Sequence, residues 1–388
     1  MDDSNTLPDN VDSTEEEINW LALRLVPGLG ARVAMRLVTT VGSATGVFRA
    51  SSTELEALGV ASHVVREIAV GTVFEDAARE AEQARQLGAS IITFRSESYP
   101  SLLREIFDPP LLLYVQGDVS LLQGPSIGVV GSRKPTAYGR AIAERLAKDL
   151  AARGLVITSG LARGIDSSAH VGSLGASGKT IGVLGCGIDV VYPSENKKLF
   201  ASIAEKGLLI SEFPLGAFPA PQNFPIRNRV ISGLSLGVVV VEAAQHSGSL
   251  ITARMAMEQN REVFGVPGSV TNQNSWGPHL LIKQGAKLVQ DWQDVVDELP
   301  ADVRERALAS VVGGESKGQS SASDTAGTLS AGEKALYDLL KFDETVHIDD
   351  LLNALPALSS SEILANLLDL EFKNLVRQMP GKNFVKIL

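Results

Sequence analysis

The 388-residue sequence has one cysteine and few aromatic residues, which make up 5% of the chain. A single cysteine, Cys186, excludes an internal disulfide, and no zinc-site spacing is present. No apolar run approaches the ~20 residues of a membrane-spanning helix. The amino terminus carries seven Asp/Glu and no Lys/Arg through Glu17, unlike a signal peptide. We therefore expect a cytoplasmic protein with no membrane contact, metal or cofactor.

The usual nucleotide-binding and catalytic motifs are also missing. Gly178-Lys-Thr180 looks like the end of an NTPase phosphate loop, but Ser173 stands where that loop needs its earlier glycine. No complete Gly-x-Gly-x-x-Gly motif opens the predicted sheet. His170 and His246 have no evident carboxylate partner in the sequence, which favours packing or capping roles. We predict a binding protein without catalytic residues.

A glycine-rich segment carries the strongest signal in the chain. Residues 159–170, SGLARGIDSSAH, follow an apolar run and open a predicted helix. Gly160 and Gly164 flank Arg163, so the backbone can turn tightly and approach a ligand closely. Unpaired amides at a helix start, beside an arginine, form an anion site. The segment therefore predicts phosphate binding.

Three further turns repeat this pattern of strand, glycine or hydroxyl, cation and helix. Their candidate residues are Gly131, Ser132, Arg133 and Lys134, then Arg227, Asn228 and Arg229, then Ser247 and Gly248. In an open parallel sheet such turns lie at one edge, where ligands bind. We expect Arg133, Arg163, Arg227 and Arg229 to converge on one groove. For any single turn, a plain connecting role remains the alternative.

The charge of the chain is unevenly distributed. Residues 120–290 hold 17 Lys/Arg and 10 Asp/Glu, a net +7, whereas the remainder has 18 and 35, a net −17. A polyanion responds to the field within ~10 Å and not to the total of −10. The central region is therefore suited to nucleic acid, unless its cations are spread over solvated helix faces.

Apolar periodicity and composition divide the chain into five segments. They are an acidic disordered tail (1–15), a helical SAM or helix-hairpin-helix-like domain (16–88), a Rossmann-like domain (89–300), a linker (301–329) and a winged-helix-like domain (330–388). The central segment alternates helices with strands predicted near 90–94, 127–131, 155–159, 180–185, 207–211, 236–242, 262–266 and 287–290. This alternation predicts an α/β fold with an extended, doubly wound, mostly parallel sheet.

The two end domains give weaker functional signals. The turn over residues 26–31 could aim backbone amides at nucleic acid, although such helical folds often only pack. The third helix of the winged-helix pattern, near 359–373, has Lys373 as its only cation among three carboxylates. A helix that reads duplex DNA should be basic, so a protein contact or a structural role is favoured there.

Taken in order, these segments resemble the DNA-processing protein A family, also called Smf, from about Tyr99 to Gln290. The similar segments are 130–135, 159–170, 178–181, 192–196, 224–232, 241–243, 247–253 and 264–268. The resemblance implies a non-enzymatic, dimeric protein that binds single-stranded DNA. It also implies transfer of incoming strands to the recombinase RecA, past single-strand-binding protein, during natural transformation. His279 departs from the family, which usually has asparagine there.

The resemblance also implies which residues contact the strand. They are Ser132, Arg133, Arg163, Lys197, Phe200, Arg227, Asn228 and Arg229. Lys197 and Phe200 lie three apart on a predicted helix, which places a cation and a ring on one face. A cation for phosphate and a ring for a base suit an unpaired strand, unless Phe200 belongs to the core.

Two other functions remain open. A phosphoribohydrolase that cleaves nucleoside monophosphates could use a related sheet, with Glu242 as its carboxylate. Its usual Pro-Gly-Gly-x-Gly-Thr loop is replaced here by Ser247-Gly-Ser-Leu-Ile-Thr252, which weakens that hypothesis. A duplex-reading transcription factor would depend on the winged helix, whose third helix is acidic.

Overall fold

The structure, a computed structural model, describes residues 9–309, 329–341, 345–356, 358–373 and 375–386. Six helices form the amino-terminal domain: α1 (Asp9–Leu25), α2 (Ala31–Val41), α3 (Ala44–Arg49), α4 (Ser52–Ala57), α5 (Ser62–Val70) and α6 (Val73–Gln86). Helix α2 is amphipathic and buries Ala34, Leu37 and Val38 at helical spacing. Glycines with positive φ end the turns before α2 and α5: Gly28 and Gly59 both have φ of 79°.

The predicted tail over residues 1–15 is wrong for its second half, because α1 begins at Asp9. Glu16 accepts hydrogen bonds from the Ala44 amide (3.1 Å) and the Thr45 hydroxyl (2.6 Å) at the start of α3. The Glu16 carboxylate, one residue beyond the predicted tail, satisfies backbone amides of another helix. Residues 1–8 lie outside the described part of the chain.

The central domain contains a nine-stranded sheet. Its strands are β1 (Ser90–Thr93), β2 (Leu112–Gly117), β3 (Ser126–Val130), β4 (Val156–Ser159), β5 (Thr180–Leu184), β6 (Leu208–Ser211), β7 (Gly237–Val240), β8 (Glu262–Gly265) and β9 (Lys287–Leu288). The order is β1-β2-β6-β5-β4-β3-β7-β8-β9, and the pairs from β6 to β9 are parallel. Strands β1 and β2 are antiparallel additions at one side. The predicted mostly parallel, Rossmann-like sheet is confirmed.

Helices cover both faces of this sheet. They are α7 (Ser101–Arg104), α8 (Ala137–Ala151), α9 (Ile165–Gly175), α10 (Lys197–Lys206), α11 (Asn223–Leu234), α12 (Gly248–Glu258), α13 (Trp276–Lys283), α14 (Trp292–Val296) and α15 (Ala301–Ala309). Val129 packs in the core with α8 and α9, whereas Val130 packs in the core with α11 and α12. Consecutive apolar residues are therefore both buried, as is typical of a parallel sheet.

Helix α15 corrects the predicted linker over residues 301–329. Its side chains Val303 and Ala307, four residues apart, are buried in the core of the central domain. This short apolar face holds the segment against the domain, although its overall composition is polar. Residues 310–328 lie outside the described part of the chain.

The carboxyl-terminal domain has the winged-helix arrangement that the sequence predicts. It comprises α16 (Ala331–Leu339), β10 (Val346–His347), α17 (Ile348–Ala354), α18 (Ser360–Phe372), β11 (Val376–Met379) and β12 (Asn383–Lys386). In the third helix and its cap, the one cation Lys373 pairs with Glu333 at 2.5 Å. Leu364 and Leu368 are half exposed on that helix. These features favour a protein-facing surface over duplex reading.

None of the helices within the described ranges has the length and apolar content to cross a membrane. The same ranges contain no group of three or more His, Cys, Asp or Glu side chains suited to a metal ion.

Candidate nucleic-acid interface

A groove of about 1080 Å³ opens at the carboxyl edge of the parallel strands. The turns after β3, β4 and β7 and the start of α11 form its walls. Among its lining residues are Gly131, Ser132, Arg133, Arg227, Asn228, Ser247 and Gly248. A smaller cleft beside it is lined by Gly160, Arg163, Arg133 and Arg227. Candidate residues from all four glycine-rich or basic turns therefore lie around one site, as the sheet topology predicts.

The turn after β3 presents Arg133 to solvent. The Ser132 amide donates to the Glu242 carbonyl at 2.6 Å, and the Lys134 amide donates to the Ser132 hydroxyl at 3.1 Å. The Arg133 guanidinium carbon lies 5.1 Å from the centroid of the Phe224 ring. Arg133 forms no ion pair with any residue that the structure describes. Its charge is free to meet a phosphate.

The turn after β4 differs from the sequence expectation. The amides of Gly160 (3.2 Å) and Ala162 (3.4 Å) donate to the buried Asp166 carboxylate, so they are not free for a ligand. A Cβ on Gly160 would collide with the Arg227 guanidinium, and one on Gly164 would collide with the Ser132 carbonyl. These glycines allow chain segments to pack closely. Close packing therefore explains glycine at both positions without any role in phosphate binding.

Arg163 is the exposed cation of this turn. Its guanidinium pairs with Glu195 at 2.5 Å, and both side chains are more than half exposed. A solvent-exposed ion pair is worth only ~0–1 kcal/mol. Arg163 can therefore exchange this carboxylate for a phosphate at little cost.

Arg227 is a buried side chain that stabilises the wall of the groove. It is 5% exposed, and its Nη1 donates to the carbonyls of Gly160 (2.6 Å) and Val183 (2.7 Å). Burial raises the pKa of Asp166, and the nearby Arg227 charge opposes that rise. Burial likewise lowers the pKa of Arg227. Arg227 therefore joins the turn after β4 to strand β5.

Arg229 does not join the other arginines, so the predicted convergence is wrong for this residue. It follows Arg227 by two positions, which is about 200° around helix α11. Its guanidinium is bound to the Glu212 carboxylate and lies 3.4 Å from that of Asp108. The side chain is 10% exposed. Arg229 is a buried structural cation on the far side of the helix.

Comparison with known proteins agrees with this architecture. Residues 90–300 match the model of the DNA recombination-mediator protein A family, and residues 320–382 match a DprA winged helix domain. The chain belongs to the DNA recombination-mediator protein A family.

Individual relatives support the assignment. The DNA processing protein DprA of Bacillus subtilis is 48% identical over 217 residues, which is 56% of this chain and 73% of that protein. The crystal structure of DNA processing protein A from Streptococcus pneumoniae has a TM-score of 0.66 at 36% identity, covering 74% of this chain and 98% of that one. The Helicobacter pylori protein, described for its single-stranded DNA binding mode, has a TM-score of 0.50 at 32% identity, covering 54% and 94%.

The residues on α10 that the family resemblance implies lie outside the lining of the two clefts above. Lys197 is exposed, whereas Phe200 is half-buried and packs against the hydrophobic core that lies between the amino-terminal domain and the sheet. The alternative that Phe200 serves the core is thus partly right. Three aromatic side chains that sequence reasoning missed line the main groove: Tyr192, Phe224 and Trp276. The Tyr192 and Phe224 ring centroids are 5.8 Å apart. Tyr192 precedes Pro193 and Phe224 lies in α11 with Arg227, which was the available signal for these two rings.

The turn after β7 and the departure at His279 are both explained by local contacts. The Ser247 hydroxyl accepts from the Ser249 amide at 3.4 Å and caps α12, which begins at Gly248. Nε2 of His279 lies 3.1 Å from the Gly268 carbonyl. The imidazole therefore ties α13 to the turn after β8 through its Nε2 atom.

The candidate catalytic side chains serve structural contacts. Glu242 accepts from the Thr136 amide (2.9 Å) and hydroxyl (2.5 Å) at the start of α8. Cys186 is buried, and burial raises the pKa of its thiol to about 11. A carboxylate engaged by a helix start and a protonated thiol are poorly suited to attack a nucleotide.

The buried His170 side chain is expected to make the folded protein less stable in acid. Burial lowers the pKa of its imidazole from 6.5 to about 3. The Thr180 hydroxyl donates to the Ile157 carbonyl, so His170 Nδ1–H donates to Thr180 at 2.7 Å and the ring is neutral. Because the folded pKa is depressed, its stabilisation is complete above pH 6.5 and is lost as the pH falls toward 3.

Between pH 6.5 and pH 3, we expect protonation of His170 to lower the free energy of unfolding by up to ~1.4 kcal/mol for each unit that the pH falls. His170→Asn retains an amide donor near the Nδ1 position and should weaken the pH dependence. Urea unfolding from neutral pH to about pH 4 measures it. A variant as acid-sensitive as the parent protein would contradict this role.

Proposed function

We propose that the protein is a non-enzymatic mediator that binds single-stranded DNA in the groove at the carboxyl edge of its sheet. The observation that carries the proposal is the placement of Arg133 and Arg163 beside the Tyr192 and Phe224 rings. Exposed cations hold phosphates, and rings stack on unpaired bases whatever the sequence. Bases inside a duplex are already stacked and would not reach these rings. Membership of the family supports the same ligand.

Further parts of the proposal come from the family resemblance. The protein would transfer the bound strand to RecA, past single-strand-binding protein, as a cytoplasmic homodimer serving natural transformation and recombination. Sedimentation velocity tests the dimer. Recombinase ATPase on a strand covered by single-strand-binding protein tests the transfer, which should be slow without this protein and faster with it.

The groove predicts a salt-dependent affinity that is insensitive to sequence. Arg133→Ala and Arg163→Ala should each weaken binding to any homopolymer strand by about tenfold, because each removes a charged phosphate contact. Each should also reduce the slope of log affinity against log salt by about one unit. Fluorescence anisotropy with labelled single strands and a duplex competitor measures both quantities.

Two matched variants sharpen this test. Arg145→Ala removes the same charge from an exposed position on α8 that lines neither cleft, so affinity should stay close to that of the parent protein. Glu195→Gln frees Arg163 from its ion pair and should tighten binding. If Arg133→Ala and Arg163→Ala behave like Arg145→Ala, the groove is not the DNA site.

A further inference from the structure

Exposed aromatic side chains are concentrated at one edge of the molecule. Among the described residues, four aromatic side chains are exposed: Phe107 (80%), Phe218 (79%), Tyr192 (39%) and Trp276 (39%). Tyr192 and Trp276 line the groove described above. Phe107 and Phe218 lie outside that groove and have the two most exposed rings. A single exposed apolar residue needs no explanation, but their common location does.

Chain topology places Phe107 and Phe218 at the same sheet edge as the groove. Phe218 follows β6, and the neighbouring Ala217 carbonyl accepts from the Gly187 amide just after β5. Phe107 precedes β2, which is antiparallel to β6 and therefore begins at the edge where β6 ends. Adjacent strands are ~4.8 Å apart, so β2 lies ~14 Å from β4 along this edge.

A second cleft, of about 460 Å³, lies beside Phe107. Helix α2 forms its other wall and contributes Arg32 and Arg36. The Arg32 guanidinium carbon lies 4.4 Å from the centroid of the Phe107 ring. An adjoining cleft of about 310 Å³ adds Arg95 and Arg104. We call these two spaces the distal cleft.

The distal cleft is basic within a region that is acidic overall. Residues 16–119 contain 9 Lys/Arg and 13 Asp/Glu, yet four of the nine line this cleft. None of the four forms an ion pair with a described residue. Asp108 is the one carboxylate among the described lining residues. It pairs with Arg229, which also lines the cleft but is already held by Asp108 and Glu212. The charge is therefore arranged for an anionic partner.

We propose that the distal cleft is a second subsite for single-stranded DNA, reached along the sheet edge past Phe218. This inference rests on the proposed function. Arg32, Arg36, Arg95 and Arg104 supply phosphate contacts, and the exposed Phe107 ring beneath a guanidinium supplies a stacking surface for a base. An acidic protein segment would use the cations but would gain little from the flat face of the ring.

The subsite predicts a dependence on strand length. The double variant Arg32→Gln with Phe107→Ala should bind a strand of ~20 nucleotides at least tenfold more weakly than the parent protein. Its affinity for a strand of ~6 nucleotides, which fills only the main groove, should be unchanged. Arg79→Gln is the matched control, because Arg79 is exposed, lies in the same helical domain and lines neither cleft.

The outcomes separate this inference from the proposed function. If the unaltered protein binds neither strand, the proposed function fails. If it binds both and the double variant retains full affinity for the long strand, only the subsite fails, and the cleft is left to a protein partner. Equal weakening for both lengths would also overturn the subsite. As a direct readout, Phe107→Trp should show more fluorescence quenching than the parent protein with the long strand, and the same quenching as the parent with the short one, because Trp276 of the main groove is present in both.

Discussion

Arg229→Ala is expected to lower the free energy of unfolding by about 3–5 kcal/mol, because it leaves a buried carboxylate without its cation. The Glu212 side chain is 13% exposed and its Oε1 has no hydrogen-bond partner. Burial raises the pKa of Glu212 even with Arg229 in contact, and removing Arg229 should raise it further. Urea unfolding of the full chain, followed by circular dichroism, measures the loss.

The pH dependence of this variant has a defined sign. A carboxyl whose folded pKa is raised contributes stability at low pH and loses it as the pH rises through the folded pKa. The deficit of Arg229→Ala should therefore be largest near neutral pH and shrink in acid. Adding Glu212→Gln should restore part of the stability, whereas Arg145→Ala should change it by less than ~1 kcal/mol. If Arg229→Ala left the free energy of unfolding unchanged but weakened DNA binding, Arg229 would be a DNA contact and not a structural cation.

The sheet could be predicted from sequence because its strands are buried on both faces. Apolar runs such as Ile127–Val130 and Val238–Val241 between glycines and polar turns allow few other structures. Predicted strand ends agree with the structure within one or two residues for most strands. Segments that pack through a few contacts were predicted less well. Residues 9–15 and α15 were assigned from average composition, which for α15 does not record the narrow apolar face formed by Val303 and Ala307.

Candidate residues were found by local pattern, but their roles depend on distant partners. The Gly160 amide is occupied by Asp166, and Arg229 is bound by Glu212 and Asp108, the latter 121 positions away. The sequence does show that Arg227 and Arg229 are two positions apart, and this spacing places them on opposite faces of a helix. The Tyr192 ring meets Phe224 through tertiary structure alone.

The second large effect is expected at Arg227, which links the fold to the binding groove. Arg227→Met retains much of the side-chain volume but removes three hydrogen bonds, to the Gly160 and Val183 carbonyls and to the Asn228 side chain. It also removes the positive charge that most opposes the raised pKa of the buried Asp166, and each carbonyl left without its donor should cost about 1–3 kcal/mol of folding stability. The turn that carries Arg163 would lose its main support, so DNA affinity should fall more than tenfold. Urea unfolding and anisotropy on the folded fraction measure the two effects.

A second substitution distinguishes support from direct contact. Asp166→Asn added to Arg227→Met removes the unpaired buried charge while an amide oxygen can still accept from Gly160, so stability should partly return. DNA affinity should recover with it if Arg227 acts by positioning the turn. Stability that recovers without affinity would mean that the Arg227 charge itself holds the strand. Arg163→Ala provides the comparison, since an exposed ion pair contributes little to folding and its loss should weaken binding at nearly unchanged stability.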